Sequence, residues 1–166
     1  MSQNLSILEQ LQRVVIDCLV ADPMFDGTLA SNGQVIPLIV ETKGDITEQI
    51  HLALGTVGVC ALIMTPAFEF IDEMLYPPDL AGWALVAVTI YENPTLNLGP
   101  TGTKLPSIRL AQEVLAALHG FPLNLPSPAS PARVPAFIGT KRPIVMTNEG
   151  PPLQYTISFL AYVFLP

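Results

Sequence analysis

Residues able to carry acid–base or nucleophilic chemistry are few in this sequence. The two histidines, His51 and His119, have no partners at a convincing metal-ligand spacing. No serine stands in a Gly-x-Ser-x-Gly context, and a serine or cysteine nucleophile needs a base beside it. We therefore predict that both histidines are ordinary helix residues and that the chain has no catalytic residue.

The two cysteines, Cys18 and Cys60, lie in apolar surroundings, one in a helical pattern and one in a strand pattern. Two cysteines at this spacing form neither a disulfide framework nor a metal-binding motif. We predict two buried free thiols, which pack as small apolar side chains.

Two further stretches invite a ligand-binding interpretation. The sequence Gly99-Pro-Thr-Gly-Thr-Lys104 resembles a phosphate-binding loop but lacks its Gly-Lys-Ser/Thr ending, so we predict a mobile loop. Carboxylates at Glu69, Asp72 and Glu73 are cation ligands in principle, and we predict instead a solvated acidic turn. No metal and no cofactor are expected.

The charge is divided unevenly along the chain. Residues 1–92 carry a net charge of −10, because twelve acids stand against Arg13 and Lys43, whereas residues 93–166 carry +3. Opposite patches of this kind suit head-to-tail contact between subunits, although a chance scatter of surface charge fits equally well. Specific nucleic-acid binding is not expected, because it requires clustered Lys and Arg.

The composition suggests apolar surface in excess of what one subunit buries. Half of the 166 residues are hydrophobic and only 13% are charged, so we expect part of the apolar surface to be covered by copies of the chain. The longest uncharged stretch, Leu52–Phe68, is too short and too interrupted to span a membrane. No signal peptide is visible at the N-terminus, and we expect a cytoplasmic location.

The elements that would position these residues follow from apolar periodicity. Asp45 and Ser107 are the predicted N-caps of the second and third helices. Pro66 is the predicted end of the second strand, and 67–80 is predicted to be an extension or a hairpin. The sequence predicts helices at 5–20, 46–54 and 107–119, and strands at 35–41, 57–64, 84–91, 143–147 and 153–165.

The chain is organised around Trp83–Gly120, for which the pattern predicts a buried strand, a long polar loop and an amphipathic helix. We predict one α+β domain over 1–166, with a mainly antiparallel sheet, helices packed on one face and a terminal β-hairpin turning at 148–151. The Pro-rich stretch 122–135 is expected to be an arm along a neighbour or, equally, a long surface loop.

A resemblance to a known family lies in the second half of the chain. Val88-Thr-Ile-Tyr-Glu-Asn-Pro-Thr-Leu-Asn97 is followed by Arg109-Leu-Ala-Gln-Glu-Val-Leu-Ala-Ala-Leu-His-Gly-Phe121, and the chain closes on Gln154-Tyr-Thr-Ile-Ser-Phe-Leu-Ala-Tyr-Val-Phe164. This succession of strand, Asn-containing loop, helix and terminal strand resembles the tail-terminator, or tail-completion, proteins of tailed bacteriophages. The chain is similar to them in length and element order too.

The resemblance implies a structural virion protein without catalysis or cofactor. Such a protein forms a ring, expected to be a homohexamer, that caps the tail tube at its head-proximal end and joins it to the neck. The implied partners are copies of the chain, tail tube proteins, neck or connector proteins and, in some tails, the sheath protein. DNA would pass through the lumen without specific binding, and the ring would be assembled in the host cytoplasm, with no membrane involved.

We predict interface residues from expected exposure and charge: Glu69, Phe70, Asn97, Arg109 and Arg133. Two other functions remain open at this point. One is another ring-forming tail or neck subunit, such as a tube, sheath or completion protein. The other is a small-ligand-binding α+β module or enzyme, which would need a deep pocket with convergent polar groups.

Overall fold

The computed structural model describes residues 7–21, 25, 35–40, 44–70, 80–99, 105–118, 141–146 and 153–165. The predicted Pro-rich arm at 122–135, the helix end at Gly120 and the residues His119 and Arg133 lie outside these ranges. The helices are α1 (Ile7–Val20), α2 (Ile46–Thr56), α3 (Pro94–Asn97) and α4 (Ser107–Leu118). The strands are β1 (Leu38–Val40), β2 (Val59–Phe70), β3 (Leu80–Glu92), β4 (Lys141–Met146) and β5 (Leu153–Leu165).

The strands form one five-stranded sheet in the order β1-β2-β3-β5-β4. β1 pairs with β2 in parallel, and the other three pairs are antiparallel. The predicted α+β class with a mainly antiparallel sheet is therefore confirmed. The predicted terminal hairpin is confirmed as well, because β4 and β5 are consecutive and pair antiparallel.

Helices lie on both faces of the sheet, which corrects the predicted one-face arrangement. α1 and α4 share the larger core with alternate positions of β2 and β3, including Val59, Ala61 and Val88. α2 packs through Ala53 and Leu54 against the opposite positions of β2, such as Cys60 and Leu62. The parallel pair β1–β2 explains the difference, because the crossover helix between parallel strands is held to one side by its right-handed connection.

β3 is the central strand and is buried on both faces, as the two-sided apolar pattern predicted. Consecutive residues from Val86 to Ile90 are all buried, and β3 pairs with β5 along its whole length, from Leu80 opposite Leu165 to Glu92 opposite Leu153. The hydroxyls of Thr89 and Thr156 lie 3.0 Å apart and share a hydrogen bond. That bond satisfies a polar group that would otherwise be costly to bury.

β2 continues beyond the point where the sequence predicted its end. It runs through Pro66 to Phe70 and stays paired with β3 up to Phe70 opposite Gly82. The register shifts between Met64 and Ala67. A bulge of this kind accommodates a proline, which has no N–H to give to the sheet.

Two local predictions are confirmed on α2. The Asp45 carboxylate accepts a hydrogen bond from the Glu48 N–H at 3.0 Å and so caps the helix N-terminus. His51 lies exposed on the same helix. None of the described helices is both long and apolar enough to cross a membrane.

Candidate functional site

A buried carboxylate marks the end of the central strand. Glu92 is the last residue of β3 and is only 1% exposed. A charge removed from water needs hydrogen-bonding partners to offset its lost hydration. Its partners come from the two elements that follow β3 in the chain, α3 and α4.

Both oxygens of Glu92 accept hydrogen bonds. Oε1 accepts from Asn97 Nδ2 at 2.7 Å, and Oε2 accepts from the Ser107 backbone N–H at 2.9 Å and from the Ser107 hydroxyl. The first N–H groups of a helix have no partner within the helix, and the helix dipole favours a negative charge beside them. Glu92 therefore caps α4 from fifteen residues away.

Ser107 had been predicted as the N-cap of this helix, and the structure corrects its role. Ser107 is the first residue of α4, and the preceding Pro106 carbonyl accepts from the N–H groups of Arg109 and Leu110. The cap is a glutamate distant in sequence, so local helix-capping patterns do not reveal it.

Asn97 closes the loop between strand and helix. Besides its bond to Glu92, its Nδ2 donates to the Leu105 carbonyl at 2.6 Å. The structure thus corrects the exposed position predicted for Asn97, which is fully buried. Its amide therefore links Leu105, just before α4, to Glu92 at the end of β3.

The turn between α2 and β2 packs tightly under α3. Gly58 has a φ of +87°, and a Cβ added there would lie 2.6 Å from the Asn97 backbone nitrogen. The Gly58 carbonyl accepts from the Asn93 N–H at 2.8 Å. A glycine is needed at this position both for its backbone conformation and for the close approach.

This cluster of Glu92, Asn97 and Ser107 is suited to fixing geometry. The carboxylate oxygens already accept three hydrogen bonds, and the residues around them close the site to solvent. Elsewhere in the described ranges, no three His, Cys, Asp or Glu side chains are grouped so that they could hold a metal ion. The cluster anchors α3 and α4 to the end of β3.

The cysteines are free and buried, as predicted. Burial raises the pKa of the Cys60 thiol from 9.0 to about 12, so at neutral pH the group is the unreactive thiol. Burial also raises the pKa of the neighbouring Tyr91 hydroxyl, and the charge of Cys60 adds to that rise. The Cys18 thiol donates to the Ala117 carbonyl at 3.4 Å and so links α1 to α4.

Exposed side chains follow two residues of the Glu92 cluster in the chain. Leu98 follows Asn97 and is 52% exposed, and Ile108 follows Ser107 and is 51% exposed. The next residue, Arg109, has a side chain that is 58% exposed and pairs with Glu113 at 3.0 Å. We name Leu98, Ile108 and Arg109 the α4 patch. Each of its two apolar residues directly follows a residue that binds the Glu92 carboxylate.

Three of the predicted interface residues, Glu69, Phe70 and Arg109, lie toward opposite ends of β3. Glu69 and Phe70 end β2, and their backbone positions pair with Trp83 and Gly82 near the start of β3. Arg109 lies beside the other end of β3, where Glu92 stands. We name positions 67–70 and 80–83 the β2–β3 end.

No protein-family model matches the sequence, and no curated protein matches it either. A function for the chain therefore rests on its fold, its surface and the resemblance carried by 88–164.

Proposed function

We propose that this chain is the subunit of a closed homo-oligomeric ring, and that the ring terminates a bacteriophage tail tube at its head-proximal end. The observation that carries the proposal is the length of the central strands relative to the helices that cover them. The resemblance to tail-terminator proteins supplies the biological setting and the expectation of six subunits.

The described helices of the larger core are shorter than the central strands. β3 and β5 each contain 13 residues and span about 43 Å, at roughly 3.3 Å per residue. α1 and α4 contain 14 and 12 residues and span about 21 and 18 Å, at roughly 1.5 Å per residue. Among the described residues, the core on β3 runs from Ala84 to Ile90, and the strand itself begins at Leu80.

The sequence of the extending strands is apolar. Neither Leu80–Leu85 nor Phe159–Leu165 contains a charged residue, and these stretches pair with one another in the sheet. In a protein with few charged residues, an apolar region of this kind is often covered by another subunit or a partner protein. We infer that the cover is another copy of the chain, since a heterologous contact repeated through a fixed rotation closes into a ring.

A ring that terminates a tube needs subunits of fixed shape and needs no catalytic residues. Its subunit must be stiff where it meets its neighbours, and the Glu92 cluster fixes α3 and α4 to the central strand. Its lumen must let DNA pass, and a net charge of −7 disfavours adhesion to phosphate. Tail tube and neck proteins, with a sheath protein in a contractile tail, are the proposed partners.

Negative-stain electron microscopy over a range of protein concentrations tests this proposal. We expect discrete rings whose number, but not length, grows with concentration. Added to polymerising tail tube protein, the chain should shorten the tubes and appear at one end. Tubes of unlimited length made by the chain alone would indicate a tube or sheath subunit instead. A particle of one subunit that is stabilised by small metabolites in a thermal-shift screen would contradict the ring.

A further inference from the structure

We draw no further inference here: the strongest candidate, the α4 patch with its exposed Leu98 and Ile108 at the junction of α3 and α4, carries none because nothing in the structure shows what covers it.

Discussion

Glu92 shows how a single side chain joins three elements. It belongs to β3, and its carboxylate caps α4 and binds the last residue of α3. A buried charge in this position is tolerated because each oxygen has a donor within hydrogen-bond distance. The consequence is a fixed angle between the central strand and the surface that α3 and α4 present.

Substitution of Glu92 should therefore be costly. We expect Glu92→Gln to destabilise the fold by about 1–3 kcal/mol, because an amide replaces one acceptor oxygen. Glu92→Ala should cost more, on the order of 2–4 kcal/mol, because the donors of Ser107 and Asn97 lose their acceptors. Urea unfolding monitored by circular dichroism measures both. Glu113→Gln, which breaks an exposed ion pair, is the control and should change stability by less than about 1 kcal/mol.

Cys60 gives the chain a pH dependence in the alkaline range. Its pKa is raised from 9.0 to about 12 in the folded protein, so above pH 9 the unfolded state loses this proton first. Stability should be constant with respect to this group below pH 9 and should fall between pH 9 and pH 12. Unfolding midpoints in urea from pH 7 to 11 measure the decline. Cys60→Ala should flatten part of it, and an unchanged slope would contradict the assignment.

Asn97 illustrates where the sequence was insufficient at this scale. An asparagine between Pro94 and Gly99 suggests an exposed turn, because these residues favour turns. The structure buries it, since its acceptors are the Glu92 carboxylate and the Leu105 carbonyl. Burial of this kind depends on how strand and helix pack, and a single sequence gives no direct sign of that packing. A glutamate closing an apolar strand just before Asn-Pro was the available signal.

At the scale of elements, the turn between α2 and β2 fixes how closely α3 approaches the sheet. Gly58 occupies the left-handed region and lies against the Asn97 backbone, whereas Gly55 on α2 has open space around its Cα. The two glycines therefore make a matched pair, three residues apart in the chain, for testing this approach.

Alanine at these two positions should have opposite effects. Gly58→Ala should destabilise the fold by about 2–4 kcal/mol, because the new Cβ would meet backbone atoms and the φ angle is strained for alanine. Gly55→Ala should stabilise by about 0.5–1 kcal/mol, because alanine is the better helix former. Thermal unfolding of both variants measures the difference. Equal effects would contradict both the left-handed backbone of Gly58 and its close contact with α3.

Most elements could be predicted from periodicity, and their bounds and faces could not. The helix at α4 follows from the spacing of its apolar residues, and the Asp45 cap follows from its type and position. The prediction that the second strand ends at Pro66 is wrong, because the sequence around a proline does not reveal a bulge that accommodates it. The face chosen by α2 depends on the parallel pairing of β1 with β2, which the sequence pattern did not reveal.

At the scale of the whole molecule, the described part of the chain is an α+β fold whose central strands, β3 and β5, are longer than the helices α1 and α4. The predicted class is confirmed, whereas the ring, the phage tail and the partners remain proposals. Fold alone does not determine function. The composition and the division of charge along the sequence are what suggest association between copies of the chain.

Native mass spectrometry of the purified chain tests the ring most directly, because it counts subunits. With a subunit mass of 17.9 kDa, the account predicts one dominant species at an integral multiple of that mass, six in the case of the expected homohexamer. That multiple should not change with protein concentration once the ring has closed. A monomer that persists at high concentration, or a ladder of masses that lengthens without limit, would contradict the account.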